Sequence, residues 1–69
     1  MSDLSYQKIE LVGSSKVSIE AAVQNAIDTV GKQHDNLRWF EVVETRGYIE
    51  NGKVAYWQAT VKVGCTNRE

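Results

Sequence analysis

The chain has 69 residues, with eight basic against nine acidic side chains and a formal net charge of −1. This is one small domain, residues 1–69, near the size at which a single core is marginal; it has no basic run to follow a phosphate backbone or a membrane surface, so neither nucleic acid nor membrane is an expected partner. Cys65 is its one cysteine, which excludes an intrachain disulfide and a four-ligand zinc site built from Cys65 and His34, and leaves oligomerisation as the staple for so short a chain.

Tyr6 to Val12 alternates loosely between polar and apolar residues and runs into Gly13-Ser14-Ser15, predicting a short strand that ends in a turn. Ser18 is a good N-cap, and Glu20 suits the positive end of a helix dipole. Ile19, Ala22, Val23, Ala26, Ile27 and Val30 then recur at helical spacing, predicting one helix that ends near Gly31. Its other face carries Glu20, Gln24, Asn25 and Asp28, so the apolar stripe is read as core. There is no N-terminal signal and no apolar run long enough to span a bilayer, which with the lone thiol makes the cytoplasm the expected compartment.

Asn36–Glu50 and Lys53–Cys65 are β-rich runs joined by Asn51-Gly52, a pair that tolerates positive φ and so favours a two-residue hairpin turn. Such a turn sets Phe40 opposite Val63 and Val42 opposite Val61, on the helix side with Ala59 and Trp57, the last read as core. The other face collects Trp39, Glu41, Val43, Thr45, Tyr56, Gln58, Thr60 and Lys62. Here Glu41 would pair with Lys62, and Gln58 would lie opposite Thr45. The fold class is therefore α+β: β-α-β-β, with a three-stranded antiparallel sheet carrying one helix on one face. One helix cannot cover two sheet faces, and the open face bearing a tryptophan is expected to be an interface or a ligand site.

Trp39 offers a flat apolar plane, and the Gln58 amide offers a donor and an acceptor without charge. Six residues of strand separate their levels, about 20 Å at 3.3 Å per residue, so one ring would be gripped by Trp39 and Gln58 of different subunits. Plainer roles stand beside these: Trp39 as interface packing, Gln58 as a solvated strand residue, Arg46 as a partner of Glu44 or Asp35. His34 and Asp35 read as a solvated loop, and Cys65 has no neighbouring His to activate it. Glu41 and Glu44 are expected on opposite strand faces, which denies them an acid–base role together.

The segments IELVGSS, WFEVVETRG and YWQATVKVG, in this order and spacing between about Tyr6 and Gly64, closely resemble the dodecin family of small flavin-binding proteins. The resemblance implies a hollow dodecamer with the helices outside and flavins bound in pairs between subunits near two-fold axes. It implies storage or sequestration of riboflavin, FMN or related flavins with no reaction catalysed, and in some members coenzyme A as a further ligand. By position, Trp39 matches the tryptophan stacked on the isoalloxazine ring, Gln58 the glutamine on its pyrimidine edge, and Arg46 a basic position near the pocket. Cys65-Thr66-Asn67 stands where several FMN-binding relatives carry an arginine, and Arg68 comes two positions late. A flavin-storing shell is thus the leading reading. A small flavin-dependent oxidoreductase and a ligand-free oligomeric adaptor are the alternatives.

Overall fold

The computed structural model describes residues 5–67. Arg68 falls outside them. The order is β1 (Tyr6–Ser15), α1 (Ile19–Gly31), β2 (Leu37–Glu50) and β3 (Lys53–Thr66). The sheet runs β1-β3-β2, with β3 central and antiparallel to both neighbours.

The Ser18 hydroxyl accepts from the Ala21 amide at 3.0 Å, capping the helix start, and Glu20 lies in the first turn. Ala22, Val23, Ala26 and Val30 of the stripe are buried against Ala59, Val61 and Val63 of β3, with Ile9, Leu11, Ile19, Ile27 and Leu37 packed around them. Gly13 does not turn the chain as expected. The strand continues through it to Ser15, and a Cβ there would run into the Ala22 carbonyl oxygen and come within 2.9 Å of the Ala26 Cβ. The glycine thus lets the helix lie directly on β1, and Asn25 Nδ2 donates to the Ser14 carbonyl at 2.8 Å beside it.

The hairpin turn forms as predicted, with φ of 55° at Asn51 and 75° at Gly52. Phe40 pairs with Val63 and Val42 with Val61, but the register shifts by one residue between Val42 and Glu44. Such a bulge leaves one residue unpaired and reassigns the partners beyond it. Gln58 therefore faces Arg46 and not Thr45, while Thr45 pairs with Ala59 on the helix side. Glu44 pairs with Thr60 and so shares a face with Glu41, the partner of Lys62, contrary to the expected opposition. Further shifts lie between Leu37 and Trp39 and between Tyr48 and Ile49.

The helix sits over β1 and β3 and leaves the edge of β2 bare. Phe40 and Val42 point to the helix side yet remain 49% and 44% exposed. Trp57 lies in the last row that β1 reaches, between Ser15 and Gly47. It is half-buried and outside the core cluster, because the helix contacts do not extend to it. Beyond that row the hairpin is two-stranded, with Tyr48 stacked on Tyr56 at 4.7 Å and Ile49 74% exposed. The projecting arm gives a molecule of 56 × 20 × 13 Å. A two-stranded ribbon is marginal alone in water.

Candidate functional site

The sheet face away from the helix is built of rows crossing all three strands. Lys8, Gly64 and Trp39 form one; Glu10, Lys62 and Glu41 the next; then Val12, Thr60 and Glu44; then Ser14, Gln58 and Arg46. Register thus places all three residues expected at the site, Trp39, Gln58 and Arg46, on one face.

Trp39 is 37% exposed. Its indole rests against Gly64, where a side chain would overlap the ring. The Tyr6 ring lies 6.2 Å away, tilted by 46°, and Lys8 Nζ stands 5.6 Å from the indole centroid. Lys8 also reaches across β3 to Glu41 at 3.1 Å. The Glu41 ion pair is therefore with Lys8 and not with the expected Lys62, whose side chain is only its register partner. With both side chains about half exposed, the pair contributes at most about 1 kcal/mol.

At the other end of the face the half-buried Gln58 meets Arg46. Arg46 Nη1 donates to Gln58 Oε1 at 3.5 Å, a long and weak bond, while Nη2 pairs with Glu44. Among the described residues the Gln58 NH2 group has no hydrogen-bond partner, and it remains a donor toward the open face. Arg46 and Gln58 are thus brought together, while Trp39 stands six residues of β3 away, roughly 20 Å.

Among the described residues, the hollow beside Trp39 does not reach Gln58 or Arg46. The hollow beside Trp39 is apolar, about 160 Å³, and lined by Ile27, Leu37, Arg38, Trp39, Phe40 and Val63. Pockets that enclose a small molecule usually hold about 300–1,000 Å³. A polar hollow at the far end of β1 and β3 is lined by Gln7, His34, Asp35, Cys65 and Thr66 among others, so Cys65 and His34 do share a rim. The thiol is nevertheless buried and turned to the Gln7 carbonyl at 3.7 Å. Among the described residues no group of His, Cys, Asp and Glu could hold a metal ion.

Sequence reasoning missed Tyr6, Lys8 and Gly64 as neighbours of Trp39, because they arrive through the β1–β3 register, for which no turn supplies a local signal. It also missed Arg38, whose Nε donates to the Thr66 hydroxyl at 3.1 Å and so sets a guanidinium beside Trp39 in the hollow described above.

Comparison with known proteins agrees with this architecture. The family model Dodecin matches residues 5–67. The chain is 44% identical over 59 residues to the dodecin of Thermus thermophilus, covering 86% of each. It superimposes on the structure of dodecin from Streptomyces coelicolor with a TM-score of 0.93 at 40% identity, over 100% of this chain and 99% of that one. The dodecin from Streptomyces davaonensis gives a TM-score of 0.92 at 40% identity, over 99% and 100%. Sequence and fold thus agree over nearly the whole length, and the chain belongs to the dodecin family.

Proposed function

We propose that this chain binds flavin, riboflavin or FMN, in sites shared between the subunits of a dodecamer, and that it stores or sequesters the ligand without turning it over. The observation that carries the reading is a partly exposed indole on the same sheet face as a half-buried Gln58 amide, about 20 Å apart. No single tricyclic ring touches both on one chain, so the site is completed by a second copy. The bare β2 edge and the two-stranded arm support assembly independently, as do the small core and the family's architecture.

The residues fit an isoalloxazine ring. The indole, backed by Gly64, leaves an open apolar surface for stacking, and the unpartnered Gln58 NH2 can donate to a ring carbonyl. Arg46, tethered to Glu44 and adjacent to Gln58, steadies that amide and adds positive charge at the polar edge. Flavin supplies a redox-active chromophore when bound; the protein stacks it, orients its edge and excludes water. The described residues offer no arrangement of acid, base and substrate pocket that would argue for the oxidoreductase. Glu41 and Glu44 share a face, yet each is engaged by a cation. Coenzyme A enters only through the resemblance, and a cytoplasmic location accords with the single unpaired thiol.

Titration with riboflavin decides the matter. Flavin emission is expected to fall as protein is added, because an electron-rich indole stacked on the ring quenches it, and light scattering on the same sample should give a mass near twelve chains. A monomer at micromolar concentration, or riboflavin whose emission and elution are unaltered by the protein, overturns the reading.

A further inference from the structure

Gly64 is buried near the C-terminal end of β3, with Lys8 on one side and Trp39 on the other. A glycine inside a central strand weakens it, and is found where something approaches the backbone closely. Its backbone angles do not demand one, since positive φ among the described residues occurs at Asn36, Asn51 and Gly52. What excludes a side chain is steric: a Cβ at this position would overlap Cε2, Cζ2 and Cη2 of Trp39. The indole therefore lies down across β3 in the space the missing side chain leaves.

We infer that Gly64 is a positioning residue for the Trp39 platform, setting the tilt of the plane on which the ligand ring stacks. The inference rests on the flavin reading above. Tyr6 at 6.2 Å and Lys8 at 5.6 Å flank the indole, so a ring pushed off Gly64 has its free path outward, into the volume a stacked ligand would take. An aromatic ring lying over a glycine in the adjacent strand can also serve the sheet alone. The test must therefore read ring orientation and ligand affinity separately from stability.

Trp57→Phe provides a parent in which Trp39 is the one remaining tryptophan. Adding Gly64→Ala to it is expected to leave the oligomer's elution unchanged and to alter the near-ultraviolet dichroism of Trp39. Riboflavin binding should weaken at least tenfold, and the quenching of whatever flavin still binds should diminish. An unchanged dichroic band with affinity within twofold of the parent overturns the role of Gly64 and leaves the flavin reading standing. A parent that binds no riboflavin at all takes down the flavin reading and this inference with it. Should Gly64→Ala prevent assembly, the same substitution is made in a Trp39→Ala chain. Recovery of the oligomer there identifies the indole as the obstacle, as inferred, and failure in both chains overturns the inference.

Discussion

Trp39→Ala separates a stacking platform from a packing residue. The indole is 37% exposed and lies on the face opposite the core of Val61, Val63 and the helix stripe. Truncating a fully buried tryptophan costs about 3–5 kcal/mol, so a ring about two-thirds buried should cost roughly 2–3 kcal/mol per chain, and less where the open face lets water fill the gap. That lowers the melting temperature without removing the helix-side core, and the assembly is expected to elute as before. Loss of a stacking partner weakens ring binding by about 1–3 kcal/mol in alanine substitutions at stacking sites, which is roughly 5- to 150-fold in Kd. Gel filtration and riboflavin titration on one preparation read both effects, and Trp39→Phe should fall between the parent and the alanine variant. The reasoning fails if the alanine variant dissociates before any change in affinity can be measured, or if it binds riboflavin as well as the parent.

The helix seat offers a second test: Gly13→Ala must drive a methyl into the Ala22 carbonyl and against the Ala26 Cβ at 2.9 Å, an overpacking that should cost about 1–3 kcal/mol and lower the midpoint of thermal unfolding by several degrees; an unchanged midpoint would show that the helix does not depend on that contact. Lys8→Met removes an ion pair whose two side chains are about half exposed, so stability measured in denaturant should change by less than about 1 kcal/mol, and the difference should shrink in 1 M salt, where the screening length is about 3 Å; a larger, salt-insensitive loss contradicts the assignment. FMN should gain less than tenfold over riboflavin, because Arg38, whose guanidinium shares the hollow beside Trp39, is an exposed group held by the Thr66 hydroxyl and an exposed charge contact contributes about 0.2–1 kcal/mol; parallel titrations showing a larger preference that survives Arg38→Ala would mean that another cation holds the phosphate.

The helix was legible because Ser18, the 3.6-residue stripe and Gly31 all mark it locally, and the hairpin because Asn51-Gly52 dictates its own backbone. The bulge beside Val43 was not. A valine looks the same whether it is paired or extra, so the shift that turned Thr45 to the helix side and brought Glu44 beside Glu41 left no mark in composition. Gly13 misled for a related reason: glycine signals both a turn and a close approach, and only the position of Ala22 and Ala26 distinguishes them. Trp57 was placed on the correct side by alternation, but how far the helix reaches along the sheet is a matter of tertiary packing. At the site, Trp39 and Gln58 stood out by residue type, whereas Lys8 and Gly64 gained meaning only once β1 was laid against β3.

The central place of β3 also governs the order in which this protein can come into being. During synthesis β1, α1 and β2 emerge first, yet in the finished sheet β1 and β2 touch only through β3. Until that last strand is made, neither has its hydrogen-bonding partner, and the helix stripe lacks the Val61 and Val63 surface against which it is buried. Closure of the sheet therefore waits for residues near position 66, and the β1–β3 pairing, which joins Tyr6 to Thr66, spans nearly the whole chain. Such non-local pairing slows folding and leaves sticky edges exposed while it is incomplete. A nascent chain stalled anywhere before β3 has no sheet to fall back on, which makes premature termination an all-or-nothing event for this fold.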